Sequence, residues 1–209
     1  MERNTAKRTL EKLLSVCICL CMLGAMLPAQ VFAEEADTAQ TETVQDTAPK
    51  DTVYLSSADD LIQLAKNCRL DSWSQNRTVV LQADIDLSSV DFNGIPSFGG
   101  TWEGQNHAIT GLSLSQDGSV QGLFRYVQQG ALVRDMTVKG RIKPGGTRAS
   151  VGGIAGSNAG TIENCAFDGV VSGTSQIGGI AGVNTVKGSI NDCTVSGTVY
   201  GSHFVGGGV

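Results

Sequence analysis

Histidine is almost missing from this sequence. His107 and His203 are its two copies, 96 residues apart. A zinc-peptidase helix needs two histidines four residues apart with a glutamate beside the first, H-E-x-x-H. Neither histidine has that context, so the peptidase site is excluded from this stretch, and structural roles are expected for both. Cysteine is scarce too. Of six, Cys17, Cys19 and Cys21 fall in the first 33 residues, which leaves Cys68, Cys165 and Cys193. An odd count in an exported chain argues against a disulfide framework. Aromatics make up only 5% of the residues. That leaves too few for the aromatic- and acid-lined groove of a polysaccharide-cleaving enzyme. One apolar run stands out, Leu13 to Leu27, and it is short for a membrane span.

That run belongs to a signal peptide. Arg3, Lys7, Arg8 and Lys12 precede it, Pro28 follows, and Val31 and Ala33 occupy the small-residue positions before a cleavage point. Residues 1–33 are therefore expected to be removed on export, so membrane contact is expected to be only transient. The leader carries four of the 15 basic and two of the 20 acidic residues, which leaves 11 against 18, a net charge of −7. A nucleic-acid binder would carry the opposite sign. Residues 34–52 hold six acids and one large aliphatic, Val44, and read as a disordered acidic leader.

From residue 53 the pattern changes. Ser57 is placed to cap a helix, Asp59 and Asp60 suit its N-terminus, and Leu61, Leu64, Ala65 and Cys68 form one apolar face. Cys68 reads as a buried small hydrophobe. From Thr78 the period is two: Val79, Leu81, Ala83, Ile85 and Leu87 alternate with polar residues, as one continuous strand would. Asp84 and Asp86 share its polar face and, with Asp91, could bind calcium. A solvated strand face is the preferred reading. Beyond this point lie 26 of the 27 glycines.

The glycines mark a repeat. Val120, Val151, Ile177 and Val205 align at intervals of 31, 26 and 28 residues. Each is followed by a glycine phrase: "VQGLF", "VGGIAG", "IGGIAG" and "VGGGV". The repeat-motif residues are Gly122, Leu123, Phe124, Gly152, Gly153, Ile154, Gly156, Gly178, Gly179, Ile180, Gly182, Gly206 and Gly207. In this alignment Met136, Cys165 and Cys193 are equivalent, as are Val133, Ile162 and Ile190. A period of this length means stacked units. A propeller blade needs about 40 residues, and a leucine-rich repeat needs a leucine ladder that is absent. The sequence therefore predicts an all-β fold, a right-handed parallel β-helix (β-solenoid) with a short N-terminal capping α-helix. The capping helix and first coils take 53–118, and the repeats take 119–209. Glycine is expected to supply positive-φ corners, with Asn164 and Asn191 near one of them. Met136, Cys165 and Cys193 would form a stacked core position, with free thiols favoured over a disulfide. The phrase "VGGGV" starts a further copy, so an open C-terminal edge continuing into more repeats is expected.

These phrases resemble those of the GLUG-motif proteins, secreted bacterial β-helix proteins. "FGGTWEGQNHAITGL", Phe98 to Leu112, is similar to that family's opening motif, with Asn106 in place of a usual glycine. The resemblance covers roughly 53–209. It implies a secreted or cell-surface location. It points to surface proteins, adhesin-like proteins and regions flanking zinc peptidases that cleave immunoglobulin A.

Little chemistry is visible beside the repeat. "GIAGSNAG" looks like a dinucleotide loop, but a strand pattern follows where such a loop needs a helix. No cofactor and no metal site is expected, and two sulfurs cannot complete a zinc tetrahedron. One charge imbalance remains. Arg125 to Arg148 holds six bases and one acid, Asp135. Arg134, Lys139, Arg141 and Lys143 are its candidates for contact with an anionic polymer. The expected function is a stalk or adhesin-like binding surface without catalysis, with a glycan, cell-wall polymer or host surface protein as partner. The alternative is the N-terminal non-catalytic region of a larger extracellular hydrolase such as a zinc metallopeptidase.

Overall fold

The computed structural model describes residues 51–146 and 149–208. The signal peptide and nearly all of the acidic leader lie outside them. The described chain is a parallel β-solenoid of about five turns with one short helix near its start.

The helix, α1 (Ala58–Asn67), starts where the sequence places it. Ser57 is extended and its side chain accepts from the Asp60 backbone N–H. Its inward face, Leu61, Leu64 and Cys68, is at most 2% exposed. The helix packs on β1 (Thr52–Leu55) and on β4 (Ile95–Phe98). It thereby covers the start of the stack of strands that begins with β4.

Every strand pairing in the solenoid is parallel, and the strands form three sheets. The first runs through β1, β2 (Thr78–Leu81), β5 (Thr101–Glu103), β9 (Leu132–Ile142), β12 (Thr161–Ser172) and β15 (Ser189–Asn191). It bends to include β3 (Ile85–Asp86), β6 (Ala108–Leu114) and β16 (Thr194–Tyr200). The second stacks β4, β8 (Phe124–Val127), β11 (Ala155–Asn158) and β14 (Ala181–Asn184). The third stacks β7 (Val120–Gln121), β10 (Ser150–Gly152), β13 (Ser175–Gly178) and β17 (His203–Gly206). His203 therefore opens a strand rather than lying between coils.

Like residues stack on like. One inward ladder climbs the first sheet through Val53, Val79, Trp102, Val133, Ile162 and Ile190. A second runs Ile85, Ile109, Val138, Phe167 and Val195. Phe98, Trp102 and Phe124 fill the widest part of the core, with ring centroids 5.2–5.9 Å apart.

Four expectations need correction. The strand expected to run on from Thr78 is broken between β2 and β3, because the chain turns a corner there. Burial still alternates through the corner, which is why the sequence reads as one strand. The alignment on Val120 is one residue out for the third sheet. Val151 pairs with Gln121, not Val120, while Ala155 pairs with Phe124. The first copy has one residue fewer in its turn than Gly152-Gly153-Ile154, so the spacing changes within the repeat. The corner in the last copy is Asp192 (φ 49°), since Asn191 pairs with Glu163 in the strand. Finally, glycine supplies only some of the positive-φ positions of the first sheet, Gly111 (69°), Gly169 (155°) and Gly197 (118°), while its corner row of Asn106, Asp135, Asn164 and Asp192 is left-handed with polar side chains, φ 48–62°. Short polar side chains tolerate that conformation.

Candidate functional site

The glycine phrases form the bend between the third and second sheets. Consecutive bends are stitched by backbone bonds: Gly153 N to Gly179 O at 3.1 Å, Ile154 N to Ile180 O at 2.9 Å and Gly179 N to Gly207 O at 2.9 Å. The glycines of this bend provide room rather than unusual dihedrals. A Cβ on Gly153 would fall on the Gly179 carbonyl and the Phe167 ring, and one on Gly179 on the Gly207 carbonyl and Val195. Phe167 and Val195 are neighbours in one ladder. A glycine wall thus faces a bulky wall, and the solenoid stays thin. Ile154 and Ile180, both buried, fill the inside of the bend, as Leu123 does in the shorter first copy. Gly152 and Gly182 are equally crowded by neighbouring backbone, and Gly178 and Gly206 continue the same strand register. Gly122 and Gly156 press against each other's coil. These residues are architecture.

Two asparagines, the buried Asn158 and the half-buried Asn184, were missed by sequence reasoning. Asn158 and Asn184 pair in register at the end of the second sheet. The Asn158 amide donates to Asn184 Oδ1 at 2.8 Å and to the carbonyls of Gly160 and Ser189 at 3.2 Å. They satisfy the backbone of the following turn inside the core. Their recurrence 26 residues apart, in "GIAGSN" and "GIAGVN", was the available signal.

Register places the three expected stacking residues in adjacent coils. Met136 pairs with Cys165, and Ala166 with Thr194, so Cys193 lies beside Cys165 in the next coil. Cys68 is separate; burial raises its thiol to about 11.

The basic run is divided by the fold. Arg134 grips Glu103 with two bonds of 2.8 Å, and Glu163 and Asp135 lie 3.8 and 3.7 Å away. The bonds to Glu103, then its charge, raise the guanidinium above its ordinary value. Arg134 is therefore engaged with carboxylates of its own and neighbouring coils, which offset its charge locally. Beyond the Asp135 corner, Lys139, Arg141 and Lys143 are exposed and lie at alternate positions on or just beyond β9. Lys139 has Asp168 at 4.0 Å, while Arg141 and Lys143 carry no ion pair among the described residues.

The three aspartates considered for calcium serve other ends. Asp84 accepts from Ala108 N at 2.9 Å and lies 3.0 Å from His107 Nδ1. The first of these contacts, then the second, holds its carboxyl below the usual range. Asp86 caps Ser88, with similar effect. Asp91 instead lines a cleft of about 290 Å³ between α1 and β4, with Lys66, Arg69 and Arg125. Among the described residues no group of three or more His, Cys, Asp or Glu could hold a metal.

Stacked, in-register, all-parallel coils with glycine bends define the chain as a β-solenoid built from short repeats. Two of those repeats match a known family model: the one described as "The GLUG motif" matches residues 147–172 and 173–200. Halomucin of Haloquadratum walsbyi is 29% identical over 142 residues, which is 60% of this chain. The same stretch is 2% of halomucin. A solved Bacteroides ovatus chain, provisionally assigned as an immunoglobulin A1 protease, superimposes with a TM-score of 0.51 at 20% identity. The match covers 76% of this chain and 60% of that one. At that identity the likeness is one of fold.

Proposed function

We propose that this chain is an exported, non-catalytic GLUG solenoid that serves as a rigid stalk and binding surface outside the cell. One observation supports the reading most directly. In the first sheet, inward ladder positions keep one chemistry from coil to coil, while outward ones do not. The apolar ladder from Val53 to Ile190 adjoins an outward row of Tyr54, Val80, Glu103, Arg134, Glu163 and Asn191. A scaffold held constant beneath a varied surface is the arrangement of a recognition module. The partner is a glycan, cell-wall polymer or host surface protein. The face formed by Lys139, Arg141 and Lys143 suits an anionic polymer. Co-sedimentation with purified anionic cell-wall polymer tests this. Replacing all three residues by Ala should weaken binding by roughly threefold to a hundredfold at low salt, since exposed ion pairs contribute about 0.2–1 kcal/mol each. Binding that ignores both the substitutions and added salt would overturn this face.

A second reading rests on the likeness to the Bacteroides ovatus chain. In it the solenoid is an accessory region of a longer extracellular hydrolase. Joining the solenoid to such a catalytic domain would then alter substrate capture and leave the chemical step unchanged.

A further inference from the structure

Cys165 and Cys193 are a matched pair that the solenoid's packing alone does not require, since Met136 serves equally well one coil earlier. Neighbouring parallel strands lie about 4.8 Å apart, within the roughly 4.4–6.8 Å between Cα atoms that a disulfide spans. The register sets the two thiols side by side in adjacent coils. Each also lies against the carbonyl two residues before it: Cys165 Sγ is 3.1 Å from Glu163 O, and Cys193 Sγ is 3.2 Å from Asn191 O. Their exposures differ. Cys165 is 2% exposed, and Cys193 is only partly buried. A cleft of about 190 Å³ along the corner row, bordered by Asn164, Asp192 and Thr194, opens onto Cys165. Cys193, the less buried of the two, is the reachable sulfur, and the cleft-lining Cys165 lies beside it. The neighbouring Cys165 thiol lowers the Cys193 thiol to about 7, and the same proximity, then burial, pushes Cys165 up. A thiolate is the nucleophilic form of cysteine.

We propose that Cys165 and Cys193 form a dithiol site that reacts with small disulfides and closes to a disulfide between adjacent coils. The Cys193 thiolate attacks one sulfur of R–S–S–R, forming Cys193–S–S–R and releasing RS⁻. That thiolate takes the proton of Cys165 and leaves as RSH. The Cys165 sulfur then attacks Cys193 Sγ, breaking the mixed disulfide. The second RS⁻ takes up the proton that Cys193 had lost to solvent. Two protein thiols are oxidised, and one small disulfide is reduced to two thiols.

Oxidised glutathione is the probe. The folded chain is incubated with it, remaining thiols are alkylated, and the protein is digested with trypsin. Cleavage after Lys187 puts Cys165 and Cys193 on different peptides, so a link is read directly by mass. The expected product is the Cys165–Cys193 peptide pair in most of the chain, with Cys68 unmodified. Cys165→Ser should abolish the link and leave glutathione on Cys193. Cys165→Met, which copies the preceding coil, should do the same should the serine disturb the fold. A stable glutathione adduct on wild-type Cys193, a link through Cys68, or two unmodified thiols would each overturn the proposal.

Discussion

At the scale of single residues, Gln121 is the clearest misfit. Its neighbours up the third sheet are Val151, Ile177 and Val205. Gln121 is 1% exposed, and its Nε2 has no hydrogen-bond partner. A buried unsatisfied amide costs about 1–3 kcal/mol. Gln121→Val restores the ladder's chemistry at the expense of some volume. It should raise the stability measured by urea unfolding by about 1 kcal/mol, the lower end of that range. Unchanged or lower stability would mean that the amide is satisfied or that volume dominates. Gly153 gives the opposite case. A methyl there would meet the Gly179 carbonyl and the Phe167 ring, so Gly153→Ala should destabilise by about 1–3 kcal/mol through overpacking. The compensating change Phe167→Leu should recover part of that loss, which a double-mutant cycle would read. The glycines of this bend were legible in the sequence as a motif, but their purpose was not. A composition cannot distinguish glycine chosen for φ from glycine chosen for space, because that depends on which wall lies opposite.

At the scale of elements, periodicity carried the most information and corners carried the least. Leu61, Leu64 and Cys68 announced the helix, and Ser57 its first residue. Ser57 and Asp60 bond reciprocally: Asp60 N donates to Ser57 Oγ at 3.2 Å, and Ser57 Oγ donates to Asp60 Oδ2 at 2.8 Å. Ser57→Ala should therefore cost about 1 kcal/mol, which would show as a lower thermal midpoint with an unchanged β-sheet signal at room temperature. The corners were invisible because inside–outside alternation passes through them unbroken, as from Leu81 to Ile85. Carboxylates supply bonds that stabilise the turns after β2 and β3 and the first turn of α1. Asp84 is held below its ordinary value first by the Ala108 N–H and then by His107, Asp86 by the Ser88 N–H and hydroxyl, and Asp60 by the Ser56 N–H and then Ser57. A lowered carboxyl pKa adds stability above the unfolded value, about 3.9 for aspartate. That stability is lost as pH falls through the folded values. Unfolding midpoints should hence be flat from neutral pH down to about pH 5 and fall below about pH 4. Asp84→Asn should flatten part of that fall. The basic run shows the same limit of linear reading. Sequence proximity grouped Arg134 with Lys139, whereas the Asp135 corner turns them onto different faces and the neighbouring coils supply Arg134 with Glu103 and Glu163.

At the scale of the whole molecule, each coil rests on its neighbours, so the energy of one side chain depends on how many coils enclose it. Val171 and Val199 offer a controlled comparison. They are the same residue type, paired in the same inward ladder above Leu114 and Ile142. Val171 is fully buried between two coils, whereas Val199, in the last described coil, is only partly buried. Fully burying a valine contributes roughly 1.5–3 kcal/mol. Val171→Ala should therefore destabilise the 209-residue chain by about 2 kcal/mol, and Val199→Ala by less than about 1 kcal/mol. Hydrogen exchange gives an independent reading. Opening should begin in β15, β16 and β17 and reach β9 and β12 only on global unfolding. Equal costs for the two valines, together with uniform exchange, would mean that the solenoid unfolds in one step and that neighbour-by-neighbour stacking does not set its local stability. A gradient from coil to coil would instead make each further coil stacked on β15–β17 a source of stability for the coil that carries Cys193. The Cys165–Cys193 link would then be formed most readily by a chain whose last coil is held in place.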